Sequence, residues 1–309
     1  MTGRATTPPE RHAHGHVGSA AGADRRALAL VLGIGVATLV VELVGAAAAG
    51  SLALAADAGH VLTDVVGVAL ALGAIRLGDR PASDDRTYGW YRAEVLAALL
   101  NGVLLLGIVG YLLIEAWQRI GSPAHVAAGP MLAVAVLGAL GNLVSLWLLR
   151  APGQRSLTMR GAYLEVLGDL LASVAVIVAA AVVALTGLSI ADTLASLGIA
   201  VLIVPRAISL LRESLDVLLE ATPRGLALDE VRRHLLEADG VEDVHDLHAW
   251  TITSGQPVVS AHVVLRPAAD PGQVLDEVCR CLSGDFDIEH STIQLETSDR
   301  RRLEETTHP

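Results

Sequence analysis

SLALAADAGHVLTDVVGVALALGAIRL, residues 51–77, is long and apolar enough to cross a bilayer, yet Asp57, His60 and Asp64 interrupt it. A span needs roughly 20 predominantly apolar residues, so the stretch reads as a transmembrane helix. Positions i, i+3 and i+7 share one face of a 3.6-residue helix, which puts Asp57, His60 and Asp64 on a single stripe. A bare charge at mid-bilayer costs at least ~2.5–3.5 kcal/mol and persists where it meets a partner, a cavity or an ion.

The rest of the chain fits that setting. Its 309 residues are 52% hydrophobic and 18% charged, with a mean hydropathy of +0.53. That is too apolar and too weakly charged for a soluble enzyme. Six stretches have the length and composition of spans: residues 27–48, 52–75, 94–116, 129–149, 161–185 and 189–211. From residue 222 the chain turns polar and mixed. Residues 1–26 lack the apolar core of a secretory signal, so no cleavable signal peptide is expected. The expected organisation is a flexible His-containing tail (1–25), a six-span transmembrane domain (26–213), a second domain (222–297) and a flexible end (298–309).

Orientation follows from arginine alone, because the chain contains no lysine. Arg25 and Arg26 precede the first span; Arg76, Arg80, Arg86 and Arg92 join the second to the third; Arg150, Arg155 and Arg160 join the fourth to the fifth; Arg212 and Arg224 follow the sixth. The alternate connections hold only Arg119. By the positive-inside rule both termini are cytoplasmic; the expected setting is a plasma or bacterial inner membrane. The net charge of −11 and the lack of a basic cluster exclude a nucleic-acid partner. The two cysteines, Cys279 and Cys281, sit at i, i+2 on an expected helix and face different directions, which argues against a shared metal. Their reducing compartment argues against a disulfide.

The fifth span repeats the stripe in RGAYLEVLGDLLASV, with Glu165 and Asp169 at i, i+4. Two helices that each present two ligands four residues apart enclose one small cation, since a divalent metal takes about four N or O donors. His60, Asp64, Glu165 and Asp169 form such a set. The competing reading, ion pairs between helices, lacks cations: Arg206 is the one arginine central in a span.

At these residues the sequence resembles the cation diffusion facilitators, in particular the zinc, cadmium and cobalt exporters. The resemblance rests on SLALAADAGHVLTD, TYGWYRAEVLAALLNG, RGAYLEVLGD, VHDLHAWTITSG and HSTIQLE, in order over residues 25–297. It implies a homodimeric, proton-coupled antiporter that moves divalent metal out of the cytoplasm, with metal as substrate and regulatory ligand and no separate cofactor. The family's transport site, HxxxD or DxxxD in the second span and HxxxD in the fifth, falls on His60, Asp64, Glu165 and Asp169. Glu165 stands where zinc members usually carry His. Arg92 and Glu220 match positions that form a salt bridge in related transporters; the alternative for Arg92 is a snorkelling boundary residue.

The last third reads as an amphipathic helix (LALDEVRRHLLEA), two strands around SGQP (VEDVHDLHAWTIT, PVVSAHVVLRP), a helix capped by Asp270, and a strand (IEHSTIQLE). This αββαβ order predicts a small open sheet covered on one face by helices. The fold class is therefore a membrane all-α six-helix domain followed by a cytoplasmic α+β domain of ferredoxin-like or metallochaperone-like order. The resemblance makes several of His245, His248, His262 and His290 ligands for cytoplasmic metal at a dimer interface, with solvated or core histidine as the alternative. In a regular strand residues three apart face opposite sides, so His245 and His248 would not join one site.

Three features leave two readings open or add a mechanism. His12, His14 and His16 collect metal loosely or belong to a disordered tail. Asp84 and Asp85 hold an accessory metal or form a solvated acidic loop. Ligands must lose protons to bind metal, so the set at His60 exchanges protons for metal; no GxxxxGK[ST] loop points to ATP. Alternatives in cargo and class are manganese or iron(II) transport, which oxygen-rich sites suit, and a membrane-anchored metal sensor.

Overall fold

The computed structural model describes residues 17–122, 124–150, 157–253 and 255–302. His12, His14 and His16 lie outside the described residues. Six long helices come first: α1 (Val17–Ala49), α2 (Leu52–Gly78), α3 (Arg92–Gly121), α4 (Ala128–Leu149), α5 (Leu157–Thr186) and α6 (Ile190–Leu218). Each contains a stretch apolar and long enough to span a membrane: Ala27–Ala49, Leu52–Gly78, Arg92–Gly121, Ala128–Leu149, Arg160–Thr186 and Ile190–Leu218. Large apolar side chains such as Val44, Ile114, Leu185 and Val201 remain exposed on them. Lipid permits this and water would not, because only the backbone must be satisfied internally in hydrocarbon.

The chain divides into two compact units, residues 1–65 with 105–204, and residues 66–104 with 205–309. In the first unit α4 packs against both α1 and α5. Small residues allow the approach: a Cβ on Gly45 would meet Val134 at 2.5 Å, and one on Gly138 would meet Glu42 at 2.7 Å. Gly50, at φ +64°, turns the chain between α1 and α2, and a Cβ there would lie 3.0 Å from the His125 carbonyl.

The start of α2 is fixed by a carboxylate far away in sequence. Asp192 of α6 is fully buried. It accepts from the Ser51 hydroxyl at 2.5 Å, from the Leu52 amide at 2.7 Å and from the Ala53 amide at 3.1 Å. Arg119 Nη1 stands 3.5 Å from the same carboxylate and donates to the Gly50 carbonyl at 2.8 Å. A helix N-terminus leaves amides without intrahelical partners and carries partial positive charge. Asp192 satisfies both conditions and ties α2, α3 and α6 together.

In the second unit the last third of the chain forms α7 (Leu228–Glu237), β1 (Val241–Thr251), β2 (Pro257–Leu265), α8 (Pro271–Asp285), β3 (His290–Glu296) and the short α9 (Ser298–Arg301). The sheet order is β1-β2-β3, with β1 antiparallel and β3 parallel to β2. Asp270 caps α8, accepting from the Gln273 amide. Val231 and Leu235 of α7 and Val274, Val278 and Leu282 of α8 pack on Val259, Ala261 and Val263 of β2. Period-2 alternation leaves the even-numbered residues of β2 and β3 on the other face of the sheet. The α+β domain thus has the expected order.

Candidate functional site

α2 and α5 build one cluster inside the first unit. His60 Nε2 lies 3.8 Å from Asp64 Oδ2, one turn along α2, and 3.3 Å from Asp169 Oδ1 on α5. One donor atom from each residue falls within 4.8 Å of the others. The side chains are only 12–17% exposed. An imidazole and two carboxylates at this separation offer three of the donors a small divalent cation requires. Glu165, one turn before Asp169 on α5, is half-buried and stands outside that three-residue cluster.

A further layer of polar groups backs the cluster. Asp57, one turn before His60, is buried at 1% exposure; Ser173 donates to it at 3.3 Å, and Asn142 donates to Ser173 at 3.3 Å. Glu42 of α1 is equally buried and within electrostatic range of both Asp57 and Asp169. Glu42, Ser173 and Asn142 were not singled out from the sequence. The signal was present, since a Glu in an apolar span carries the same cost as an Asp, but only packing reveals that α1 aims it at α2 and α5.

The sheet face opposite α7 and α8 carries a second cluster. His245, His262 and Glu296 place one donor atom each within 4.8 Å: Glu296 stands 3.5 Å from His245 Nε2 and 3.0 Å from His262 Nδ1. The two rings meet edge to face at 5.1 Å. Glu296 is 3% exposed. The strand is not regular here. The β1–β2 register shifts between His245 and His248, and Asp246 takes φ +49°, a β-bulge. The face rule applied to His245 and His248 assumed a regular strand, and the bulge removes that premise. Asp246 then lies 3.0 Å from His248 Nε2 and 3.7 Å from His262 Nε2. Asp246 and Glu296 were the missed members of this group; an Asp in mid-strand signals a bulge, and β3 alternation puts residue 296 on the face of His290.

His290 is elsewhere on that face. It pairs with Val258, whereas Glu296 pairs with Val264, a separation of roughly 20 Å along the strand. Its ring lies 6.1 Å from Tyr88, edge on. Arg92 Nη2 donates to Glu220 at 2.9 Å, both side chains well exposed. Asp84 and Asp85 are exposed and join no three-ligand cluster among the described residues. Cys279 sits 3.8 Å from the Ser291 hydroxyl, whereas Cys281 belongs to a group with His234 and Asp285.

Comparisons with known proteins agree over most of the chain. Residues 28–219 match the model of the cation efflux transmembrane domain, and residues 223–298 match that of the cation efflux protein cytoplasmic domain. Over 298 residues the chain is 41% identical to the metal cation efflux system protein CzcD of Cupriavidus metallidurans, covering 96% of this chain and 93% of the relative. It is 39% identical to the zinc transporter ZitB of Escherichia coli over 289 residues, 92% of each chain. It is 34% identical to the cadmium, cobalt and zinc/H(+)-K(+) antiporter of Bacillus subtilis over 281 residues, 89% of this chain and 90% of the relative. A solved metal-bound C-terminal domain of CzcD is 43% identical, covers 23% of this chain and 99% of its own, and superposes with a TM-score of 0.23. With six apolar helices carrying buried carboxylates and a following α+β domain, the chain belongs to the cation efflux, or cation diffusion facilitator, family of membrane metal transporters.

Proposed function

We propose that the protein is a homodimeric, proton-coupled antiporter that moves Zn2+, and with it Cd2+ and Co2+, out of the cytoplasm, with both termini on the cytoplasmic side. The observation that carries the reading is the meeting of His60, Asp64 and Asp169 at one point between two apolar helices. Relatives named for zinc, cadmium and cobalt support the cargo. Glu165, on the same face of α5 as Asp169, is the fourth donor assigned. A sensor whose spans only anchor it would leave this cluster without a use.

The chemistry of exchange follows from the donors. Imidazole and carboxylate must be unprotonated to hold a cation, so cation entry from one side expels protons and protons from the other side expel the cation. Rocking of helices around a fixed site gives alternating access. The carboxyl groups of Asp57 and Glu42 are buried beside the cluster, where a bound cation favours their ionised form and its departure favours a proton in its place. One observation favours a wider cargo: the set is one nitrogen with oxygens, which manganese and iron(II) accept more readily than a two-histidine set.

The test is Zn2+ flux in reconstituted vesicles with and without an opposing pH gradient. The expected result is uptake that rises with the gradient, moves protons in return and falls when the loading side is acidified. Flux indifferent to pH, or no flux from folded protein, overturns the reading.

A further inference from the structure

Cys281, His234 and Asp285 lie on the helical side of the last domain, away from the sheet face that carries His245, His262 and Glu296. His234 is on α7; Cys281 and Asp285 are one turn apart on α8. A nitrogen, a sulfur and an oxygen from the three lie within 4.8 Å of one another, and His234 Nδ1 is already 3.9 Å from Asp285 Oδ2. Zn–N and Zn–O bonds of about 2.0–2.2 Å and a Zn–S bond of about 2.3 Å set ligand separations slightly shorter than these in a tetrahedral site. Small rotamer changes close the set.

We propose that His234, Cys281 and Asp285 form a separate binding site for a borderline or soft divalent cation such as Zn2+, Cd2+ or Co2+, bridging α7 to α8. The donor set selects that class: a thiolate draws Zn2+ and Cd2+ and disfavours Mg2+, Ca2+ and Mn2+. His234 Nδ1 is buried and has no hydrogen-bond partner among the described residues, and it is the atom turned toward the carboxylate. The ring is braced by Phe286 at 5.1 Å between centroids, and Cys281 and Phe286 pack against the domain core. On the outer edge of the ring, Nε2 lies 3.2 Å from Arg233 Nη2. Arg233 also donates to Glu237 at 3.0 Å from an exposed position, so it can turn away once Nε2 carries the proton. Burial raises the Cys281 thiol above its ordinary range, with Asp285, Glu237 and Glu277 adding to the effect. The same carboxylates attract a cation, and a coordinated thiol loses its proton. The bound ion clips two helices that otherwise meet through apolar packing and the long His234–Asp285 contact, and leaves a fourth position for water.

Sulfur makes the site separately visible. Neither the His60 cluster nor the His245 cluster contains cysteine, and the chain has two. The experiment titrates Co2+ into the purified full-length protein in detergent and follows thiolate-to-Co2+ charge transfer in the near ultraviolet. Native protein and Cys279→Ser are expected to give the band at one Co2+ per chain. Cys281→Ser is expected to abolish it, and His234→Ala to weaken Co2+ binding at this site by about tenfold or more, in the range seen when metal-site support is lost. Absence of the band in native protein, its loss with Cys279→Ser, or its survival in Cys281→Ser overturns the assignment. Zn2+ flux by Cys281→Ser distinguishes this site from the transport reading, since flux should persist when the band is gone.

Discussion

Asp64 and Asp169 each place an anionic oxygen against the same imidazole, so each is a separate point of failure. Asp64→Ala and Asp169→Ala are expected to lower Zn2+ flux by about two orders of magnitude or more, as loss of an anionic donor from a site of about four ligands should. Size-exclusion chromatography checks that each variant stays folded and dimeric; near-native flux would remove the residue from the site. Glu165→His exchanges an oxygen donor for a nitrogen and takes away one titratable carboxylate. Competition flux among zinc, cobalt, manganese and iron(II) is expected to narrow toward zinc in this variant, because imidazole favours zinc over the harder metals. An unchanged selectivity profile would show that Glu165 does not touch the ion.

At the scale of elements, the capping of α2 by Asp192 has a calculable consequence. Removing the carboxylate orphans the Leu52 and Ala53 amides and takes from Arg119 one of its two carboxylate neighbours, leaving Glu115 at 3.1 Å. An unsatisfied buried donor costs about 1–3 kcal/mol, and the weakened pairing of Arg119 adds to that cost. Asp192→Ala is therefore expected to lower the thermal unfolding temperature in detergent by several degrees, while protein that remains folded keeps the native order of metal preference. A change in metal preference without loss of stability would mean that Asp192 acts on the ion. The bulge at Asp246 is a second element-level device. It lets one carboxylate reach both His248 and His262, which a flat strand would forbid.

On the scale of the whole molecule, the cytoplasmic domain of the second unit reaches the start of a span. The Thr253 hydroxyl, at the β1–β2 turn, donates to Glu94 in the first turn of α3 at 2.7 Å, and Arg92 beside it pairs with Glu220. Metal bound on the sheet can shift transport only through its differential affinity for two conformations. His262→Ala combined with His290→Ala is expected to change the dependence of flux on cytoplasmic metal while leaving measurable transport. Thr253→Val should blunt that dependence by severing the hydrogen bond. Complete loss of flux from the folded double variant would place those histidines in the transport path.

The sequence by itself determined the six spans, the α+β domain and the α2 half of the candidate site, because hydropathy, strand alternation and the i, i+4 spacing are local properties. His60 and Asp64 lie one helical turn apart on any straight helix. Where the sequence stopped is equally physical. Nothing local says that Asp169 rather than Glu165 approaches His60 most closely, that Glu42 on α1 faces Asp57 and Asp169, or that Asp192 caps a helix 140 residues earlier. Those pairings depend on rotation of one helix about its axis against its neighbours, which small residues such as Gly45 and Gly138 permit and side-chain packing fixes. The group of His234, Cys281 and Asp285 likewise exists only because α7 and α8 cover the same face of one sheet.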